Sequence, residues 1–366
     1  VGREVQLTAS GQLNPANGKG TSVGSVNGTI KADGLSVRYM PEMPIVRGIA
    51  ATATFNLGGM DIATTGGAVD GLALTVPEGV IKLTGLDASR QYADIRIKVV
   101  GPVGDALKLV DHPPLNYASK MNINPADVRG DASVKLALNL PLIDDLPVDK
   151  LKISIDATMK DVHWQKIIMG KTLSNAEMTL CVSETAMDAA GAGQLGGVPI
   201  KFHWRENFTV TSGETGSVEF SGALDDKARK EFGLDLGSHI SGPLGIDATV
   251  FFQRPGSPRI NASLDLTAVK VDLDDLGWAK APGVPAKLTV AGLMGVDRHI
   301  GNVAFDGSGG GMSMRGQLRM NAGKFQRVDF ERLIAGRNDL QGFAEVKDGG
   351  YVVRAKGAVI DVSGMF

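Results

Sequence analysis

The sequence predicts an all-β protein built as a long antiparallel sheet, and three features carry that prediction. Apolar and polar residues alternate with period two through much of the chain, the pattern of strands with one apolar and one wet face. Tight-turn dipeptides punctuate the alternating runs. Helical spacing is confined to a few short places. The clearest run extends from Asp131 to Met159. There Val134, Leu136, Leu138 and Leu140 alternate with Ser133, Lys135, Ala137 and Asn139, and after a turn Leu151, Ile153, Ile155 and Ala157 alternate with Lys150, Lys152, Ser154 and Asp156.

In chain order, strands are predicted at Val5 to Ala9, Ser25 to Ala32, Leu35 to Tyr39, Ile49 to Leu57, Leu72 to Val76, Ile81 to Leu83 and Ala93 to Val99. Asn-Gly at Asn17 and Asn27, Asp-Gly at Asp33 and Asp70, and Gly58-Gly59 read as the reversals between them. Gly101-Pro102 ends this run, and VGDALKLVDH has the spacing of one short helix. Pro113-Pro114 stops it, and LNYASKMNINPADVRG reads as a compact helical joint. Residues 1–100, 101–130 and 131–366 thus divide into a first β part, a joint and a longer β part.

Beyond Met159 the alternation resumes at Ala176, Met178, Leu180 and Val182, then Ile200, Phe202 and Trp204, then Val218 and Phe220. A second helix is predicted from Asp225 to Leu236, with Asp225 or Asp226 as N-cap and Gly233 near its end. Strands follow at Ile246 to Phe252, Ile260 to Val271, Ala286 to Leu293, Val303 to Phe305, Met312 to Met320, Phe325 to Phe330, Leu340 to Val346 and Val352 to Val362. No fixed-length consensus recurs, so what repeats is the two-faced strand itself.

Composition narrows the function classes. The 366 residues carry 38 Lys+Arg against 40 Asp+Glu, a net charge of -2, so no basic field favours nucleic acid. The one cysteine, Cys181, excludes a disulfide framework within the chain, and alternation turns it away from the apolar wall. No apolar run reaches the roughly 18 residues needed to span a bilayer as a helix. The chain starts and stops inside the alternating pattern and reads as a piece of a longer protein whose anchor lies elsewhere.

Apparent catalytic motifs fail on context. Gly20-Thr21-Ser22-Val23-Gly24 matches a nucleophile elbow, but a strand follows where a helix is needed. Gly191-Ala192-Gly193-Gln194-Leu195-Gly196 matches a dinucleotide fingerprint, yet leads into PIKFHW and reads as a hairpin tip. His112, His163, His203, His239 and His299 never fall at metal-ligand spacing, and no cofactor is implied. The pairs Asp144-Asp145, Asp225-Asp226 and Asp274-Asp275 sit at turns or caps, where adjacent side chains diverge. Trp164, Trp204 and Trp278 read as rim or core positions before a sugar platform, and Lys227, Arg229 and Lys230 as a packing or rim helix before a membrane-binding one. The chain is read as a non-enzyme.

The stretch DHPPLNYASKMNINPADVRGDASVKLALNLPL, followed by DLPVDKLKISIDATM, resembles the AsmA-like superfamily, in particular its YhdP-type members. MGKTLSNAEMTLCV, GAGQLGGVPIKFHW, GGGMSMRGQLRMNAGKFQRVDFERL and RAKGAVIDVSG extend the resemblance over most of the chain from about Gly101 onward. It implies an elongated, curved β-sheet forming an open hydrophobic groove. It also implies a Gram-negative envelope protein anchored in the inner membrane, projecting into the periplasm and linked to phospholipid movement towards the outer membrane. Its partners would be phospholipid acyl chains and the two membranes.

From alternation, the groove-lining residues are Val134, Leu136, Leu138, Leu140, Leu151, Ile153, Ile155, Met178, Leu180, Val182, Ile200, Phe202, Trp204, Ile246, Val250, Phe252, Ile260, Leu264, Leu266, Leu288, Val290, Met312, Met314, Leu318 and Met320. The methionines suit tails of varied shape. Alternation alone favours the core of a closed sandwich or barrel, the basis of a structural envelope scaffold, and the resemblance reverses that preference. A carbohydrate-active enzyme would instead need carboxylates converging in a polar cleft.

Overall fold

The computed structural model describes residues 4–14, 22–40, 42–113, 115–143, 150–168, 170–232, 239–274, 277–295, 300–321, 324–347, 350–359 and 361. The protein is all-β with a few short helices. Among the described residues, twenty-one strands belong to one sheet and three to a small second sheet, and every pairing whose register is defined is antiparallel. The chain divides into two compact units, residues 1–164 with 175–187, and residues 165–174 with 188–366.

The first unit opens with β1 (Glu4–Asn14), β2 (Ser22–Val37) and β3 (Val46–Asn56). A broken strand, β4 (Gly59–Thr65) and β5 (Ala68–Val69), lies between β3 and β6 (Thr75–Thr84). Then come β7 (Tyr92–Pro102), α1 (Val103–Asp111), α2 (Tyr117–Lys120), a 3-10 turn at Pro125–Asp127, β8 (Val128–Pro141) and β9 (Lys152–Ile168), whose residues 165–168 belong to the second unit. Because sequential strands pair, period-two alternation becomes rows that run across the strands. Leu7, Ile30, Ala53, Ile62, Ile81, Ile95, Leu138 and Ile153 stand opposite one another in turn. One residue along, the row is Thr8, Thr29, Thr54, Asp61, Lys82, Asp94, Asn139 and Lys152. One face is therefore apolar and the other polar.

β10 (Lys171–Ser183) and β11 (Ala186–Leu195) follow, each with residues in both units. The second unit continues with β12 (Val198–Asn207), β13 (Gly213–Leu224), α3 (Asp226–Glu231), β14 (Ile240–Ser241), β15 (Leu244–Arg254), β16 (Arg259–Asp265), β17 (Lys270–Leu273) and β18 (Trp278–Lys280). It ends with β19 (Ala286–Met294), β20 (Ile300–Gly309), β21 (Met312–Asn321), β22 (Lys324–Ala335), β23 (Asn338–Lys347) and β24 (Gly350–Val359). Its middle apolar row is Phe202, Phe220, Ala248, Ala262, Val290, Phe305, Gly316, Phe330, Gly342 and Ala355.

Short insertions close one strand end in each unit. In the first, Leu74, Val103, Ala118 and Val128 are buried where α1 and α2 meet the sheet, and Asp105 accepts from the Ala73 amide at 2.8 Å. In the second, β14, β17 and β18 form the small sheet, and with α3 they bury Val269, Val271, Trp278 and Ala335. Buried Lys280 donates to the Val269 carbonyl at 2.7 Å and the Ala281 carbonyl at 3.2 Å.

Several sequence expectations are corrected. Asn27-Gly28 and Asp33-Gly34 are not hairpin turns: β2 runs through both, with a bulge between Ala32 and Leu35 that places Gly34 at φ +66°. Leu72 to Val76 and Ile81 to Leu83 are not two strands, because one strand, β6, runs from Thr75 to Thr84. Ile260 to Val271 is not one strand, because the Thr267 amide caps back onto Asp265 at 2.8 Å and splits β16 from β17. The strands β4, β5, β11, β14 and β18 are not among those predicted. The helix from Asp225 is shorter than Asp225 to Leu236: α3 starts where Asp225 accepts from the Ala228 amide at 2.7 Å and ends at Glu231. Gly233, Asn17, Asp144-Asp145, Asp275 and His299 lie outside the described residues.

Candidate functional site

The apolar face of each unit is the candidate site, and register shows how it is assembled. In the second unit two more rows flank the middle one. Towards the capped end run Ile200, Gly222, Ile246, Leu264, Leu288, Gly307, Met314, Leu333, Leu340 and Gly357. Towards the other end run Trp204, Val218, Val250, Ile260, Gly292, Val303, Leu318, Val328, Ala344 and Val353. In the first unit Val5, Ala32, Ala51, Thr64, Gly79, Ile97, Leu136 and Ile155 make a second row, broken only by Thr64.

Glycine in a row is covered by its neighbour. A Cβ at Gly28 would clash with the Phe55 ring opposite, and one at Gly316 would stand 2.8 Å from Phe305 Cζ. That absence lets Phe305 reach across β21 to Phe330, edge to face at 5.9 Å between centroids.

The expected residues fall on these faces. Val134, Leu136, Leu138, Leu140, Ile153 and Ile155 share the first unit's apolar face with residues from β1 to β7, so β1 to β8 and the start of β9 build one surface. Leu151 directly precedes β9 and is half-buried. Met178, Leu180 and Val182 are half-buried while Thr179 and Cys181 are exposed, and the Cys181 thiol lies 3.4 Å from Asp156 on the polar face. Phe202, Trp204, Phe252, Leu288, Val290, Met314, Leu318 and Met320 are row or row-end positions in the second unit.

Others on the same face are taken up by the protein itself. Ile200, Ile246, Leu264, Leu266 and Met312 pack against the Val269–Trp278 core, because the inserted small sheet and α3 cover that end. Val250 and Ile260 are buried with Met294. Sequence reasoning left out Ile30, Ile62, Ile81, Ile95, Phe220, Phe305 and Phe330, although the same alternation marks each of them.

At the end away from the small sheet the second unit's face changes character. Trp204 and Phe252 approach with ring centroids 6.4 Å apart, and Trp204 Nε1 donates to Glu206 Oε1 at 3.1 Å. Glu206 is two residues beyond Trp204 and so shares its face. Burial pushes its carboxyl above the usual value, while the Trp204 hydrogen bond and the Arg254 charge pull it back.

The polar face has its own hollows, as the saddle of a twisted sheet allows. One in the second unit, of about 960 Å³, is lined by Lys201, His203, Glu219, Asp247, Asp306 and Arg315, among others. Its polar groups are largely paired: His203 Nε2 lies 2.8 Å from Asp188, Arg315 Nε donates to Asp306 at 2.7 Å, and Arg205 stands 3.5 Å from Glu219.

The remaining motifs resolve structurally. Ser22 opens strand β2, so no helix follows the G-x-S-x-G run. The G-x-G-x-x-G run is not itself the hairpin tip: β11 extends through Leu195, and the turn is Gly196-Gly197 at φ +55° and +84°. Trp278 is buried with Nε1 donating to the Gly310 carbonyl at 3.0 Å, which removes it from any stacking platform. Arg229 is buried too, bound to the Gly242 and Ile240 carbonyls and to Asp226, and offers no charge to a surface.

No helix among the described residues is long and apolar enough to cross a membrane. No protein-family model, curated protein or solved structure matches the chain.

Proposed function

We propose that the chain is a non-enzymatic segment of a periplasmic, inner-membrane-anchored bridge that conducts phospholipids towards the outer membrane, with hydrocarbon tails lying on its apolar faces. The observation that carries this reading is the middle apolar row of each unit, whose large side chains, such as Ile81, Ile95, Leu138, Phe202, Phe220 and Val290, are only half-buried. Among the described residues, full burial of large row residues is confined to the flanking rows of the second unit, at Val250, Ile260, Val303 and Leu340. Two sheets pressed face to face would bury such rows completely. The resemblance of the chain from about Gly101 onward to the AsmA-like superfamily supports the same reading.

The physical task is modest in chemistry and large in energy. Each CH₂ exposed to water costs about 0.8 kcal/mol, so a tail of about sixteen carbons faces a barrier on the order of 10 kcal/mol. A row of Leu, Ile, Val and Phe replaces the lost contacts without favouring any one position. With strands about 4.8 Å apart, the ten-strand rows of the second unit provide a path of about 43 Å. Headgroups stay wet, and no bond is made or broken.

A structural envelope scaffold is the second reading, favoured locally by the packed clusters around Val269 and Val250. Photo-crosslinking separates the two. A photoreactive residue at Leu138 or Val290 is expected to capture phospholipid in cells, and one at Lys135 or Thr289, on the polar face, is not. Equal labelling from both faces, or none from either, would contradict the transport reading.

A further inference from the structure

The end of the second unit's apolar face away from the small sheet, where Phe252 packs against the Val250, Ile260 and Met294 cluster, brings an acid, a base and two aromatic rings onto one face. The Glu206 carboxylate lies over Gly216, the residue opposite it on β13, because no side chain stands there: a Cβ at Gly216 would sit 2.7 Å from Glu206 Oε2. Gly216 in turn faces Phe252, and Gly213 faces Arg254. Nothing lies within 4 Å of where a Cβ on Gly213 would project. Arg254 is exposed, two residues past Phe252 on the same strand, and thus on the same face. Its charge is felt by Glu206, yet the two are not joined in an ion pair. An acid and a base therefore flank a space floored by glycine, beside the Trp204 and Phe252 rings.

We propose that the space over Gly213 and Gly216, between Glu206 and Arg254, is a headgroup site for a zwitterionic phospholipid. Its ammonium meets the Glu206 carboxylate and its phosphate meets the Arg254 guanidinium, while the tails enter the apolar rows past Trp204 and Phe252. A primary ammonium donates to a carboxylate, and a guanidinium forks onto phosphate, each as a charge-assisted hydrogen bond. An ammonium at Glu206 also offsets the burial that opposes its charged form. An anionic glycerol headgroup supplies only the phosphate and brings no cation to Glu206.

This inference rests on the lipid-conducting reading of the face. To test it, the purified chain is incubated with vesicles of equal phosphatidylethanolamine and phosphatidylglycerol, re-isolated, and its bound lipid extracted and quantified. Phosphatidylethanolamine is expected in excess on the order of tenfold. Glu206→Gln keeps the acceptor for Trp204 Nε1 and is expected to bring the ratio to about one while total lipid is unchanged. Arg254→Gln, at an exposed position, is expected to lower both lipids and keep the preference. Glu219→Gln, on the polar face, is expected to change nothing. A wild-type ratio near one, or a preference that survives Glu206→Gln, would overturn the headgroup site alone. Absence of any bound lipid would overturn the reading beneath it as well.

Discussion

At the scale of single residues, charge is organised on the polar face and is paired across strands. Arg327 donates to Asp329 at 2.6 Å and to Glu345 at 2.8 Å, and its guanidinium stacks on Phe343 with 3.7 Å to the ring centroid. The Arg327 hydrogen bonds hold the Asp329 carboxyl below its ordinary value of 3.8, and Arg319, 3.4 Å away, adds to the effect. A carboxyl lowered in the folded state takes up its proton later than in the unfolded chain. Its stabilisation is therefore full above 3.8 and is lost as pH falls through the lower folded value. Asp329→Asn is expected to flatten the acid limb of stability between pH 3.8 and that value, read by urea unfolding across the range. An unchanged acid limb would show that the pair contributes nothing, as exposed pairs often do.

At the scale of elements, glycine explains both what the sequence disclosed and what it concealed. Alternation disclosed the faces, since Leu136 and Lys135, or Phe202 and His203, sort themselves by period two wherever a strand exists. Asn27-Gly28 misled because a glycine that lets Phe55 lie across β2 looks the same in sequence as a turn glycine. The small sheet was hidden, and so was the packing of the predicted helix α3, because nothing local in Val269 or Trp278 says that they pack over Ile246 and Leu264. The rim escaped notice for the same reason: Glu206 breaks the apolar alternation, and only register sets it against Gly216 and Arg254. Gly316 gives a test. A Cβ there meets the Asp329 backbone carbonyl as well as Phe305, so Gly316→Ala is expected to cost about 1–3 kcal/mol by urea unfolding. Gly301, also in a strand but with nothing within 4 Å, is expected to tolerate alanine within about 0.5 kcal/mol. Equal costs at the two positions would contradict the covered-glycine account.

At the scale of the molecule, each unit spends its apolar residues in an unusual way. A closed β core converts alternation into complete burial, whereas here Leu7 at 64 % and Val353 at 69 % exposure show rows that stay apolar even on outermost strands. The packed clusters sit at the strand ends and leave the middle rows half-accessible. Such a surface is costly in water and inexpensive against hydrocarbon, which is the physical reason for assigning it a lipid occupant. The most direct measurement is native mass spectrometry of the chain purified from a Gram-negative envelope without detergent, followed by solvent extraction. Phospholipid is expected on the folded chain, and replacing Leu138, Ile95 and Ile81 together by aspartate is expected to abolish it in the first unit while strand content by circular dichroism persists. A folded chain that carries no phospholipid, and takes none up from vesicles, would contradict the account.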